Sequence, residues 1–161
     1  MDIPKRLIEC LTRNNVRYEI LHHTEAFSAQ RIAEAEHVKA EHQAKVVMVR
    51  SGEQHFMVVV PANRRVDLEK VEQITEHAVS LDTEPEFKAF FPDCQVGTMP
   101  PFGNLYDLPT LVDRSLTHED YIVFEAGTHT EAIKLSYFDY QQIVKPQIAD
   151  LTVNVPLIQH V

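Results

Sequence analysis

Apolar positions at the start of the chain recur with two different periods. Over residues 2–14 they fall three or four residues apart, which predicts a first helix with Asp2 as its N-cap and Pro4 in its first turn. Residues 16–21 alternate between apolar and polar side chains, which predicts a short strand. Phe27 resembles the apolar member of a hydrophobic staple and predicts a second helix over the residues that follow it.

The strongest pattern is a pair of apolar runs joined by a short polar turn. Residues 44–50 and 55–60 are rich in valine and methionine, and residues 51–54 between them contain a glycine. Runs of this type separated by a few turn residues predict a β-hairpin. Because both runs are apolar almost throughout, we expect them to lie near the centre of a sheet.

Helical and strand patterns are interspersed in the rest of the chain. Apolar spacing predicts helices over 66–74, 84–90 and 137–144, and Thr83 is the expected cap of the second. Short apolar runs predict strands near 79–81, 94–96, 111–113, 121–125 and 132–136. Because the helices do not alternate strictly with the strands, we expect an α+β domain with a mixed sheet rather than a doubly wound parallel one. Alternation near the end of the chain predicts an edge strand or a loosely docked tail.

Length, composition and charge narrow the class of protein. The 161 residues suffice for one domain, and 44% hydrophobic with 24% charged residues is ordinary for a globular protein. The chain has no apolar run long enough for a membrane span and no signal peptide at its N-terminus, so we expect a cytoplasmic protein. The formal net charge of −9 argues against strong non-specific binding of nucleic acid. It leaves room for a small basic patch that reads one end of an RNA.

Residues 97–103 contain two of the four glycines and two of the nine prolines of the chain. A loop of this composition is rigid and exposes backbone groups that a ligand can approach closely. The main-chain N–H groups of Gly97, Thr98 and Met99 could therefore stabilise an oxyanion. Glycine and proline are also general turn markers, so the alternative is a tight turn between two strands.

Two further positions could carry chemistry. Lys45 opens an apolar strand, where a partly buried lysine can bind a phosphate or hydroxyl or act as a base with a lowered pKa. Its alternative is an edge lysine whose ammonium reaches solvent. His129 lies in the glycine-containing turn 127–130 and could polarise a carbonyl, orient water or hold a ribose hydroxyl. The alternative there is a polar hairpin turn.

Other common catalytic patterns are absent. The nine histidines show no metal-binding spacing, so we expect no metal and no cofactor. Cys10 and Cys94 belong to no CxxC motif and are expected to be free thiols, with a nucleophilic Cys94 as the alternative. Asp107 and Asp113 could form a hydrolytic carboxylate pair, but Asp107 fits better as a brace for its loop.

Residues 44–47, 97–107 and 126–130, taken in this order and spacing, resemble the YbaK/ProX family. These are free-standing aminoacyl-tRNA deacylases related to the editing domain inserted in bacterial prolyl-tRNA synthetases. The likeness divides the chain into a YbaK-like domain over 1–145 and a C-terminal tail over 146–161. It implies a single α+β domain whose mixed, mostly antiparallel, curved sheet is surrounded by helices. It also implies hydrolysis of the ester between a wrong amino acid and the terminal adenosine of a tRNA.

The resemblance also implies roles for individual residues. The lysine that matches Lys45 contacts the substrate near the adenosine, and the loop that matches Gly97 to Pro101 offers N–H groups to the ester carbonyl. The histidine that matches His129 helps to position the substrate in some members. Tyr18 and Phe27 match aromatic positions of the pocket. The remaining expected substrate contacts are Pro100, Pro101, Phe102, Gly103, Gly127 and Thr128. Position 46 is valine where some alanine-specific members carry asparagine, so the amino acid stays open.

The implied reaction agrees with the side chains present. An aminoacyl ester is already activated, so its hydrolysis needs a placed water and a stabilised oxyanion, and the neighbouring ribose hydroxyl can assist. The expected partners are the acceptor end of a charged tRNA and a synthetase or elongation factor that delivers it, with no DNA and no membrane. The alternative is a regulatory module that holds an aminoacyl or nucleotide ligand in the same pocket without turnover.

Overall fold

The computed structural model describes residues 1–24 and 38–154. Within these ranges the helices are α1 (Lys5–Arg13), α2 (Leu68–Thr75), α3 (Glu84–Phe90) and α4 (Tyr137–Val144). The strands are β1 (Tyr18–His22), β2 (Ala44–Ser51), β3 (Gln54–Pro61), β4 (Arg64–Val66), β5 (Val79–Leu81), β6 (Thr110–Asp113), β7 (Tyr121–Thr128), β8 (Glu131–Ser136), β9 (Gln147–Ala149) and β10 (Thr152–Asn154). The expected second helix, with Phe27 at its start, lies outside the described residues.

The strands form three sheets. The largest, in the order β5-β2-β3-β6-β9, is mixed: β2 pairs antiparallel with both β5 and β3, whereas β6 pairs parallel with both β3 and β9. The sheet β1-β8-β7 is antiparallel, as is the pair of β10 and β4. The predicted single α+β domain with a mixed, mostly antiparallel arrangement is therefore confirmed, and so is the central β2–β3 hairpin.

Capping residues explain where several helices begin. The Asp67 side chain accepts a hydrogen bond from the Glu69 amide at 3.0 Å and so caps α2. Thr83 and Glu86 form a capping box at α3, as the expected cap at Thr83 requires. The expected cap at Asp2 is wrong, because α1 has Pro4 as its N-cap in an extended conformation.

The faces of β2 and β7 define two sides of the structure. On one side lies the larger hydrophobic cluster, which receives Ala44 and Met48 from β2 and Phe124 from β7. Side chains alternate across a strand, so Lys45 and Glu125 both point to the opposite side. A parallel bridge between Gln43 and Val123 joins the start of β2 to β7, and it keeps these two faces continuous. Lys45 and Glu125, each two residues past the bridge, therefore share one face of the joined sheets.

The segment after α4 contributes strands to two sheets. Through β9 it extends the largest sheet, and through β10 it covers β4. Asp113, at the end of β6, anchors this segment: its Oδ1 accepts hydrogen bonds from the Leu151 amide at 2.9 Å and the Thr152 hydroxyl at 3.1 Å. Asp113 is 1% exposed and is thus a structural carboxylate rather than half of a hydrolytic pair. In the described ranges, no helix has the length and apolar character needed to traverse a lipid bilayer.

Candidate active site

The end of β7 and the loop at residues 97–103 are joined by backbone hydrogen bonds. The ladder of β7 and β8 shifts register between Glu125 and Thr128, which leaves Gly127 in a bulge with φ of +86°. The Gly127 carbonyl accepts from the Gln95 amide at 2.9 Å, and its own amide donates to the Thr98 carbonyl at 2.8 Å. The Gln95 side chain accepts from the His129 amide at 2.8 Å. Two of the three segments singled out in the sequence are therefore in direct contact.

Gln95 contacts Gly127 through its backbone and His129 through its side chain, and no sequence pattern identifies it in advance. The prediction of an extended segment over 94–96 is wrong: these residues turn, and the turn places the Gln95 backbone beside Gly127 and its side chain beside His129. Pro92 lies inside the turn closed by the Cys94 amide and the Phe91 carbonyl, and Gly97 with its positive φ lies inside the turn closed by the Thr98 amide and the Gln95 carbonyl. The contacts of Gln95 with Gly127 and His129 come from distant parts of the chain, and a local pattern cannot predict them.

The rest of the loop is packed into the protein. Gly97 is exposed and has φ of +85°, whereas residues 98–103 are buried. The Tyr140 hydroxyl, which is inside the core, donates to the Pro101 carbonyl at 2.6 Å. Phe102 is fully buried between the rings of Phe124 and Tyr140. The prolines and Phe102 thus fix the shape of the loop from behind.

The structure distinguishes among the three amides expected to bind an oxyanion. The Thr98 amide and hydroxyl both donate to the Gln95 carbonyl, at 3.2 and 2.7 Å. The N–H groups of Gly97 and Met99 find no acceptor among the described residues. Buried main-chain donors almost always have a partner, so the unpaired amide of the buried Met99 suits an incoming oxygen, together with the exposed amide of Gly97 on the other side of Thr98.

Lys45 lies on β2 opposite Val60, on the face that it shares with Glu125. Its side chain is half-buried, and desolvation lowers the pKa of its ammonium below the ordinary value. No carboxylate in the described part of the chain pairs with it. A desolvated lysine with no ion-pair partner is typical of a group that binds a ligand.

A buried acid–base pair lies beside the same turn. Glu125, immediately before the bulge, is 7% exposed, and burial raises the pKa of its carboxyl to about 8. Its Oε1 lies 3.0 Å from Nε2 of His23, whose ring is buried and whose Nδ1 contacts the Thr24 carbonyl at 2.7 Å. The sequence did offer a signal here, since Glu125 is a lone acid in an apolar run.

Other expected site residues lie apart from the loop or carry structure. Tyr18 pairs with Leu135 near the other end of the β1-β8-β7 sheet, roughly 15–20 Å from Gly127 at the rise of an extended strand. It lines a separate open cavity of about 260 Å³. Thr128 is buried, and its hydroxyl contacts Glu131 within the turn at 3.3 Å. Phe27 lies outside the described residues.

The alternative of a nucleophilic Cys94 is chemically unfavourable. The thiol is buried beside Gly127 and contacts the Tyr106 hydroxyl at 3.5 Å. Desolvation raises its pKa to about 11. The nucleophile of cysteine enzymes is the thiolate, and a thiol with this pKa remains protonated near neutral pH.

Two clusters in the described ranges have side chains that could ligate a metal, and both are already engaged within the protein. His55 contacts the Asp82 carboxylate at 2.9 Å, while Glu86 is held in its capping box. In the second cluster, Nδ1 of His42 donates to the Tyr121 carbonyl at 2.9 Å and the His42 ring stacks on the tyrosine. Neither cluster includes a residue of the 97–103 loop or of the 127–130 turn.

Comparison with known proteins decides the family. The family model for the aminoacyl-tRNA editing domain matches residues 23–143. This protein belongs to that family. The family resemblance seen in the sequence is thus confirmed, as is the enzyme class, an aminoacyl-tRNA deacylase. The matched range contains Lys45, the 97–103 loop and the 127–130 turn.

Individual relatives of this editing-domain protein are distant in sequence. The prolyl-tRNA editing protein ProX of Acetoanaerobium sticklandii is 22% identical over 152 residues, which cover 90% of this chain and 92% of ProX. A candidate trans-editing enzyme for prolyl tRNA synthetase has a TM-score of 0.80 at 18% identity, covering 93% of this chain and 96% of its own. A hypothetical protein reaches a TM-score of 0.84 at 16% identity, with 92% and 100% covered. These structural matches support the same fold.

Proposed function

We propose that this editing-domain protein acts in trans on mischarged tRNA and hydrolyses the ester at the terminal adenosine with the 97–103 loop as its oxyanion site. The observation that carries the proposal is the pair of unpaired amides at Gly97 and Met99, held in place by the hydrogen bonds of Gly127 with Thr98 and with Gln95 just before the loop. Such preorganised donors stabilise the charge that develops on the carbonyl oxygen during hydrolysis.

Lys45 complements the loop on the side of the substrate alcohol. Its ammonium has no partner among the described residues and is partly desolvated, so a ribose or phosphate oxygen of the terminal adenosine would be its natural ligand. Because the ester is activated, a positioned water and the neighbouring ribose hydroxyl suffice without a protein nucleophile. The protonated thiol of Cys94 agrees with such a mechanism.

The substrate is a tRNA for proline that carries a wrong amino acid, as the names of two relatives suggest. The net charge of −9 limits the affinity for the body of the tRNA, so the protein would contact mainly the acceptor end. Delivery by a synthetase or an elongation factor would then raise the effective concentration of substrate. Charged tRNA is cytoplasmic, which agrees with the expected localisation.

A deacylation screen tests the reaction and its specificity. Purified protein is incubated with tRNA for proline charged with proline, alanine, cysteine or serine, and release of the amino acid is followed over the uncatalysed rate. We expect release from at least one mischarged tRNA and much slower release from the proline ester. Stable binding of an aminoacyl-adenosine analogue with no release from any ester would favour the regulatory binding module instead.

A Gly97→Ala variant tests the loop. An alanine Cβ at this position would meet no atom within 4 Å, so the cost comes from the positive φ alone, about 1–2 kcal/mol. We expect relief of this strain to rotate the neighbouring amides and to slow deacylation by about 10²-fold, the effect of losing one oxyanion donor.

Gly52→Ala is the matched control for this variant. Gly52 also has a positive φ, and a Cβ there meets only ordinary contacts with His77, but it lies in the β2–β3 turn. The two variants should lose similar free energy of unfolding in denaturant titrations, while Gly52→Ala keeps full activity. A fully active Gly97→Ala protein would reduce the loop to a turn.

A further inference from the structure

The contact between His23 and Glu125 holds a single proton between its two atoms. Nδ1 of His23 lies 2.7 Å from a carbonyl oxygen, which can only accept, so this nitrogen carries a hydrogen. The 3.0 Å contact from Nε2 to Oε1 then requires one proton, either on the imidazole or on the carboxyl. Burial raises the pKa of Glu125 to about 8, which favours the proton on its carboxyl, in contact with Nε2 of His23.

The second oxygen of the Glu125 carboxyl, Oε2, takes no part in the contact with His23. Oε2 is buried and has no hydrogen-bond partner among the described residues. A buried oxygen without a partner is costly and is kept where a ligand or a reaction uses it. Glu125 lies two residues before Gly127, whose amide and carbonyl hold the loop, and it shares a face of the joined sheets with Lys45. Glu125 is therefore close in sequence to the bulge that anchors the loop, and it lies on the same sheet face as Lys45.

We propose that Glu125 accepts the proton of the attacking water through Oε2 and passes its Oε1 proton to Nε2 of His23. This inference rests on the proposed hydrolysis and identifies a proton acceptor for it within the protein. One proton shifts along the existing contact between Oε1 and Nε2, the other moves from the bound water to Oε2, and the backbone contact at Nδ1 keeps the imidazole oriented.

Attack of the water on the ester transfers two protons and leaves no atom unaccounted for. The water oxygen bonds to the ester carbon while one O–H bond of water breaks and Oε2–H forms; at the same time Oε1–H breaks and Nε2–H forms. The carbonyl electron pair moves to its oxygen, which the loop amides stabilise. Collapse of this intermediate re-forms the carbonyl and breaks the bond to the ribose oxygen. That oxygen takes the proton from Oε2, the proton on Nε2 returns to Oε1, and the amino acid and the free ribose hydroxyl are released.

Charged groups on the neighbouring strands share the joined sheets with this pair. Lys45 on β2 shares its face, and Lys134 on β8 lies on the same face with its ammonium 4.3 Å from the Tyr121 ring centroid. Glu19 on β1 pairs with Lys134, and Glu131 lies at the start of β8. Burial is the cause that raises the pKa of Glu125 and favours the protonated carboxyl.

A Glu125→Gln variant tests the relay, with Glu19→Gln as the matched control. Glutamine keeps the size of the side chain but cannot take a proton, so we expect kcat to fall by about 10²–10⁴-fold with little change in KM. The exposed Glu19 lies on the same face, on β1, two strands away from Glu125 on β7. Its replacement should leave kcat unchanged.

The pH profile separates this role from a structural one. In acid the pair gains a second proton and can no longer accept, so kcat of the wild-type protein should fall as the pH is lowered. Above about pH 8 the ionised carboxylate accepts directly, and this pair causes no alkaline loss. Glu125→Gln should remove the acid limb. A variant that hydrolyses at the wild-type rate with the same acid limb would overturn the relay and leave the proposed hydrolysis intact.

Nitrogen NMR of histidine-labelled protein tests the shared proton without substrate. We expect Nε2 of His23 to resonate as an unprotonated nitrogen at pH 7, and to gain a hydrogen from solvent in acid. A protonated Nε2 at pH 7 would overturn the relay, even in an active protein. If the wild-type protein released no amino acid from any ester, the hydrolytic function and the relay would fall together, whatever the NMR result.

Discussion

Replacing Lys45 with alanine should slow deacylation by about 10²–10³-fold, which is the range for removal of one electrostatic contact to a reacting substrate. The reason is that the Lys45 ammonium has no ion-pair partner among the described residues, so the substrate would be its ligand. Initial rates on the mischarged tRNA identified by the screen measure the effect. Lys88→Ala is the control, because Lys88 is exposed on α3 and its loss should not change the rate.

Replacing Lys45 should lower the activity of the protein but should not lower its stability. Lys45→Met keeps the apolar stem but removes a desolvated charge, so the free energy of unfolding should stay equal or rise at neutral pH. The pKa of Lys45 is lowered in the folded state, so the folded protein loses its proton first as the pH rises and the wild-type chain gains stability. The advantage of Lys45→Met should therefore shrink at alkaline pH. Denaturant titrations at several pH values would show it, and a destabilised Lys45→Met protein would indicate a structural lysine.

Gly127→Ala should be the most damaging of the glycine replacements at positive φ. A Cβ at Gly127 would lie 2.4 Å from Cδ of Pro4, and φ is +86°. Strain of about 1–2 kcal/mol adds to an overpacking cost of about 1–3 kcal/mol, so we expect a loss of about 2–5 kcal/mol. Thermal and denaturant unfolding measure it directly.

Pro4→Ala separates the two costs at Gly127. Removing the proline ring removes the atoms that the new Cβ would meet, so the double variant should recover the overpacking cost but not the strain. A double variant no more stable than Gly127→Ala would show that the loss comes from the backbone alone. Activity should stay low in both, because the Gly127 backbone holds the loop.

Local signals were sufficient for most of the elements. The β2–β3 hairpin and α3 follow from their own residues, because a valine-rich pair of runs and a capping box at Thr83 act over a few positions. The expected cap at Asp2 does not form because Pro4 has no amide to donate, which is a local reason. Pro4 also packs near Gly127, which is a tertiary contact, and the helix begins after Pro4. Residues 94–96 take part in two turns closed by local hydrogen bonds, and Gly127 of β7 accepts the hydrogen bond of the Gln95 amide.

The parts of the candidate site that are made of backbone have the clearest signal in the sequence. Glycine and proline identify the loop and the bulge, because few other residues adopt those conformations. The hydrogen bonds of Gln95 and the contact of His23 with Glu125 join residues far apart in sequence, and such pairings depend on the sheet register. Lys45 was identifiable as a candidate, but the three-dimensional structure was needed to find that no carboxylate within residues 1–24 and 38–154 pairs with it.

The hydrogen bond from Tyr140 to the Pro101 carbonyl fixes the shape of the loop before any substrate binds. Because the loop is anchored from inside the core, the entropy of ordering it is lost once, during folding, and not again in each catalytic cycle. The amides of Gly97 and Met99 would therefore already be oriented before the ester binds. We therefore expect the arrival and departure of the tRNA, rather than closure of this loop, to set the pace of turnover.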